Sequence, residues 1–333
     1  MFRFAVRLMA WRAFFCGVLA SSIVATIWLW VSTMMERPGP HKDDSIVIIT
    51  TGSDHAAVRW DLQRSGVLHQ LYHYDAARML AGDGFVPKAG EFLLPAGASL
   101  RQIMDILHQG KSLQRRVTIV EGQTSTKIIA ALDAMHALTG AVDSAVDEGS
   151  LYPDTYFYTH ATARADLILR MQNKMQITLA EAWAGRQADL PYDTPHEALI
   201  MASIIEKEAA TKADRHLVAS VFVNRMKRGM RLQSDPTVRY GIDFDNNRPI
   251  SKADLRRKTP WNTYVIAGLP KTPICNPSFE SIEAALHPTD STFLYFVSDG
   301  VGGLRFAETL DVHNENVRLF RVVESQNPEG PKP

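Results

Sequence analysis

The hydrophobic positions along this chain follow three rhythms. The first is an unbroken run: from Ala13 to Met35, "AFFCGVLASSIVATIWLWVSTMM" carries no charge. As a helix rising ~1.5 Å per residue, such a run crosses the ~30 Å hydrocarbon layer of a bilayer. The second rhythm is alternation. After the Pro/Gly break "RPGPHKDD" (37–44), "SIVIITTG" reads as a strand, as do "GEFLL" and "RRVTIVEG" (115–122). The third is helical spacing, over 54–65, 69–81, about 100–109, about 124–138 and 163–184. Ser99 caps the helix whose face carries Leu100, Ile103, Met104 and Leu107, and Gly110 closes it. "TPHEALIMASIIEKEAA" opens with Thr194 at N-cap, Pro195 at N1 and Glu197 at N3, a complete capping signal. A further helix spans about 212–228 and ends at Gly229. Residues 147–158 and 186–195 read as loop and linker, and 231–277 as a long polar and aromatic loop. "TFLYFVSDG" (292–300) is a core strand, and "TLDVHNENVRLFRVVES" a closing helix. The pattern predicts an α+β protein with a small module ahead of a larger domain.

Composition narrows this picture. The 333 residues are comfortable for two domains, and 46% hydrophobic with 22% charged residues is ordinary for a folded protein. Lys plus Arg equals Asp plus Glu at 36 each, so no basic field points to nucleic acid. Arg3, Arg7 and Arg12 precede the apolar run and mixed charge follows it. The positive-inside rule then predicts a cytoplasmic N-terminus (1–12), a transmembrane helix (13–35), a linker (36–44) and an outer remainder. "VLA" at 18–20 resembles a signal-peptide cleavage site, but the run continues through Trp28, Leu29 and Trp30, which favours a retained anchor. The two cysteines, Cys16 and Cys275, offer no internal disulfide, since one lies in the anchor. His69 and His73 stand at i and i+4 without a third ligand nearby, so no metal is expected, and no cofactor site is recognisable.

The candidate chemistry lies in "MASIIEKEAA" (201–210), where an otherwise apolar helix admits Glu206 and Glu208. At ~100° per residue the two glutamates fall about 200° apart, so they cannot share one site. The ordinary reading pairs Glu206 with Lys212 or Arg215 of the next helix. The chemical reading uses the small neighbours Ala202 and Ser203, which leave room for a ligand beside an acid whose pKa the apolar surroundings raise.

"VEGQT" (120–124), "EGSLYPDTY" (148–156), "MASIIEKEAA", "VASVFVNRMKRGMRLQSDPTVRYG" (218–241), "NTYVIAGLPKTPICNPS" (262–278) and "LHPTDSTFLYFVSDG" (286–300) together resemble the YceG-like (MltG) endolytic murein transglycosylases, in order and over nearly all the chain after the anchor. The resemblance implies a LysM-like module (45–122), a YceG-like catalytic domain (123–325) and a tail (326–333). It implies periplasmic placement on the inner membrane, with peptidoglycan as substrate and membrane cell-wall synthases as candidate partners. It makes Glu206 the catalytic acid, cleaving MurNAc-β-1,4-GlcNAc bonds within glycan strands to leave 1,6-anhydro ends. The sugar's own 6-hydroxyl is the nucleophile, so one carboxyl suffices where hydrolases use two. Gln233, Asp235, Tyr240, Asn262 and Tyr264 resemble family residues near the active site, and Ser203 lies one turn before Glu206. Asp235 is the first candidate for a helper carboxylate, with an ordinary turn as its alternative reading. Two departures stand out. Leu304 occupies the place of an expected histidine in "GGLRF", and Trp261 replaces a smaller residue in "PWNTY". The alternatives are a glycan-binding scaffold and a two-carboxylate muramidase.

Overall fold

The computed structural model describes residues 2–142, 145–209, 211–242 and 249–326. The chain divides into two units, Met1–Arg115 with Tyr158–Ala161, and Arg116–Phe157 with Thr162–Pro333. The first contains α1 (Phe2–Glu36), β1 (Ser45–Ile49), α2 (His55–Arg64), α3 (Leu71–Ala81), β2 (Gly90–Leu94) and α4 (Leu100–Gln109). β1 and β2 pair antiparallel, Ser45 opposite Leu94 and Ile49 opposite Gly90. Their alternation turns Val47, Ile49, Phe92 and Leu94 inward, onto the buried face of α4. Each such side chain contributes about 1.5–3 kcal/mol by leaving water. The Ser99 hydroxyl and the Gln102 side chain close a reciprocal cap on α4, and Gly110 ends it in the left-handed conformation, φ 71°.

α1 serves two environments. From Trp11 to Glu36 it is long and apolar enough to cross a membrane, and its large side chains from Trp11 to Trp30 are exposed. Its last turns are different: Val31, Met34 and Met35 are buried in the core of the first unit. Residues 36–44, read from sequence as a linker, are fastened to that unit. Glu36 pairs with Arg101, the Gly39 amide donates to Gly97 O at 3.1 Å, and Asp44 Oδ1 accepts from the Ala96 amide at 2.9 Å.

The second unit holds β3 (Arg115–Thr118, which begins one residue before it), α5 (Ser125–Asp133), β4 (Leu138–Thr139), β5 (Thr155–Tyr158, whose last residue counts with the first unit), β6 (Thr162–Ala163), α6 (Arg164–Ala184), α7 (Pro195–Glu208), α8 (Lys212–Lys227), α9 (Asp235–Gly241), α10 (Lys252–Arg256), α11 (Phe279–Leu286), β7 (Tyr295–Ser298), β8 (Leu304–Ala307) and α12 (Leu310–Gln326). Its strands form two-stranded sheets: β3 with β5, β4 with β6, and β7 with β8. α7 is the central helix. Every residue from Ala198 to Ile205 is buried, against α6, α8 and α11. The architecture is α+β, as the pattern predicts. β5 occupies a stretch read as loop, β3 stops at Thr118, and α9 and α10 interrupt the long polar segment. Leu304 opens β8 opposite Ser298 and packs on the second core, a place a histidine would fill less well.

Candidate active site

The site is assembled from the N-terminus of α7 upward. The Thr194 hydroxyl accepts from the Glu197 amide, and the Glu197 carboxylate accepts from the Thr194 amide. That cap fixes the start of the helix, and therefore the directions in which Glu206 and Glu208 leave its last turn. They leave on opposite sides, as the wheel predicts.

The Glu206 side chain is only 4% exposed. Its Oε2 accepts from the Ser278 amide at 2.8 Å and from the Ser278 hydroxyl. Oε1 accepts from Arg215 Nη2 at 3.3 Å. The ion pair that sequence offered as the ordinary reading is therefore formed, by Arg215; the Lys212 side chain lies outside the described residues. Lys207, between the two glutamates, reaches Gly122 O at 3.5 Å. A side chain at Gly122 would meet Glu206 Cγ only at ordinary contact distance, 3.7 Å, so its left-handed φ of 75° is what calls for glycine there.

Glu208 accepts from the Ser234 hydroxyl at 2.6 Å. Close packing pushes its carboxyl up to about 7, the charge of Asp235 adds to the shift, and Ser234 and Arg225 oppose it. A carboxyl raised by burial therefore stands at Glu208 on this helix. Its folded state holds a proton that the unfolded state releases, so its contribution to stability is greatest below the ordinary carboxylate range and is lost as pH rises through about 7. Glu208→Gln should therefore gain thermal stability relative to wild type between about pH 5 and pH 8. Parallel melting curves across that range would check this, and a constant difference would mean that Glu208 does not titrate there.

Asp235 opens α9, exposed, and accepts from the Tyr264 hydroxyl at 2.7 Å. Burial, then this bond, push the Tyr264 hydroxyl upward. Gln233 is exposed and left-handed, φ 53°, its amide donating to Thr263 O at 3.2 Å. Such a backbone costs a non-glycine residue about 1 kcal/mol or more. Gln233, Asp235 and Tyr264 thus share one region, with Glu208 joined to it through Ser234.

Tyr240 belongs to a different group. Its hydroxyl donates to Glu148 Oε2 at 3.2 Å, and its ring meets Trp261 edge-on at 5.5 Å. Burial pushes that hydroxyl up to about 12. Glu148 also accepts from the Ser125 amide at 2.8 Å and from Asn276 Nδ2 at 3.3 Å, and burial raises its carboxyl despite these donors. Asn276 is fully buried and joins three quoted segments. Its Oδ1 accepts from the Leu151 amide at 2.7 Å, its Nδ2 donates to Gln123 O at 3.0 Å, and its own carbonyl accepts from the Gly122 amide at 2.9 Å. Two residues later, Ser278 holds Glu206.

Two predicted site residues face inward. Ser203 is fully buried, donating to Ile200 O at 2.7 Å and accepting from the Ile274 amide at 3.0 Å. Asn262 is 1% exposed, and its Nδ2 donates to the carbonyls of Asp254, Leu255 and Arg257 at the end of α10. Both position loops that border the site. Asp154 pairs with Lys174, which holds its carboxyl below the ordinary range. Sequence reading missed Glu148, Asn276 and Ser278 as partners, although all three stand in the motifs quoted. Among the described residues no group of three His, Cys, Asp or Glu side chains could hold a metal.

The YceG-like family profile matches residues 47–319. An endolytic murein transglycosylase of Bacillus subtilis (strain 168) is 30% identical over 327 residues, covering 88% of this chain and 89% of its own length. One of Streptococcus pneumoniae (serotype 2, strain D39) is 31% identical over 248 residues, 69% of this chain and 44% of its own. The crystal structure of a YceG-like protein from Listeria monocytogenes superposes with a TM-score of 0.51 at 28% identity, over 82% of this chain and 99% of its own.

Proposed function

The chain belongs to the YceG-like family, and on that premise we propose that it is an endolytic murein lytic transglycosylase, a lyase acting on peptidoglycan. Its reaction is cleavage of MurNAc-β-1,4-GlcNAc bonds within nascent strands, leaving 1,6-anhydro ends. The observation that carries this reading is the setting of Glu206: a carboxyl group 4% exposed, anchored through Oε2 by Ser278, with Oε1 meeting Arg215 Nη2 at a long 3.3 Å. Contacts of that length in a free enzyme commonly rearrange when substrate binds. Glu206 protonates the glycosidic oxygen as the bond to the anomeric carbon breaks. It then takes the proton of the 6-hydroxyl as that oxygen closes on the same carbon. Between the two transfers Glu206 is a carboxylate, and the Arg215 guanidinium stabilises it. Asp235, oriented by Tyr264, is the candidate to offset positive charge at the anomeric carbon. Gln233 and Tyr240 supply amide and hydroxyl contacts for the sugars, while Ser203 and Asn262 act through the loops they brace.

α1 serves as a retained single-pass anchor in the inner membrane, its N-terminus cytoplasmic and the remainder periplasmic, a reading supported by its length and by Arg3, Arg7 and Arg12. The β1–α2–α3–β2 order supports reading the first unit as LysM-like. Membrane cell-wall synthases remain the candidate partners.

The Tyr264–Asp235 bond favours one second reading, a muramidase with Asp235 as base. Digestion of purified peptidoglycan, with fragments read by mass spectrometry, separates the two. Anhydro ends are the expected product, and fragments one water heavier would assign the muramidase. Intact glycan retained by the protein would assign a binding scaffold instead.

A further inference from the structure

The first unit and α1 share a core, and that sharing has a depth. Counting from Ala13, the first residue past Arg12, the ~30 Å hydrocarbon layer takes up about 20 helical residues. The far edge of the layer then falls near Trp30 to Ser32. Trp30 is 48% exposed and lies 6.5 Å, ring to ring, from His73 of α3. His73 in turn packs edge-on against Tyr72 at 4.5 Å. Val31, Met34 and Met35, which lie at and beyond that edge, are buried in protein. The N-terminal turn of α3 therefore stands at the height of the bilayer's outer boundary, held there by packing on α1.

What α3 exposes at that height suits a lipid boundary. Tyr72 is 55% exposed and Met79 83%. They stand seven residues apart, on one helix face. Exposed Arg78 adjoins Met79, and exposed Arg37 follows the end of α1. A tyrosine with a polar tip, an exposed methionine and flanking arginines match segments that lie in the headgroup region, and Asp75, between them on this face, has its charge paired with Arg59. We propose that the Tyr72–Met79 face of α3 is a lipid-contact surface, seating the first unit in the outer boundary of the membrane that α1 spans. This extends the anchor reading and rests on it. The occupant is the headgroup–acyl boundary itself, because the surface is continuous with the helix that enters it. His73 then has a packing role beside Trp30, with the ring of exposed His69 6.4 Å from its own.

The test uses the full chain in nanodiscs of phosphatidylethanolamine and phosphatidylglycerol, with nitroxide depth measured by collision with oxygen and with a water-soluble nickel chelate. Native Cys16, in the apolar run, supplies the lipid reference, and Cys275, fully buried, stays unlabelled. In a Cys16→Ser background, a label on Tyr72→Cys should show an oxygen-to-nickel collision ratio several-fold above that of free label in buffer. A ratio equal to free label, with Cys16 still lipid-like, would overturn the seating and leave the anchor standing. A water-like Cys16 would overturn both. Should Tyr72→Cys fail to fold, Met79→Cys carries the same comparison at a position that packs on almost nothing.

Discussion

Glu206→Gln should lower murein cleavage by about 10²–10⁴-fold, the range ascribed to a positioned acid and base. The substitution keeps the shape of the side chain, and its amide oxygen can still accept from Ser278, so the fold should persist. It removes the transferable proton and the charge that Arg215 faces across 3.3 Å. The assay is release of anhydro-ended fragments from purified peptidoglycan, alongside a melting curve. A variant that keeps more than about a tenth of the rate would remove Glu206 from the acid's role. The chemistry would then have to come from the neighbouring group, where Asp235 is exposed and Glu208 carries the raised carboxyl.

The second large effect should come from a residue that touches no substrate. Asn276→Ala leaves the buried Leu151 amide unpaired, takes one of two donors from the Gln123 carbonyl, which keeps the backbone amide of residue 276, and takes one donor from Glu148. Each buried group left unpaired costs about 1–3 kcal/mol. The expected loss is about 3 kcal/mol or more, some 6–12 °C in melting temperature for a domain of this size. Cleavage should fall as well, because the same segment carries Ser278 to Glu206 and the Gly122 amide to its partner. A melting temperature within about 2 °C of wild type would mean that water replaces the side chain at low cost.

The parts of the fold written in local signals were legible in the chain. Thr194, Pro195 and Glu197 announce α7, Ser99 and Gly110 bracket α4, and the opposed directions of Glu206 and Glu208 follow from helical geometry alone. β5 was not legible, because its four residues follow Pro153 and gain strand character only by pairing with β3. The directions of loop side chains were hidden for the same reason. Asn262 and Asn276 look like surface turn residues in a segment rich in proline, and both are buried because distant backbone offers them partners. Within "EKE", sequence marked the helix end where charge is held and offered Arg215 to Glu206, but not the full set of donors that holds each glutamate. That depended on Arg215, Ser278 and Ser234, which arrive from three other parts of the chain.

The cap at Thr194 makes α7 a measuring rod. Glu206 is located by counting from it, in steps of about 100° and 1.5 Å. One residue gained or lost between them would turn the carboxyl from Ser278 toward the packed interior and drag the buried run from Ala198 to Ile205 out of phase with α6, α8 and α11. An insertion of a whole heptad would nearly restore the angle, but would move the carboxyl about 10 Å along the axis and away from Arg215. Substitution can vary this stretch, but its length is a fixed quantity of the machine.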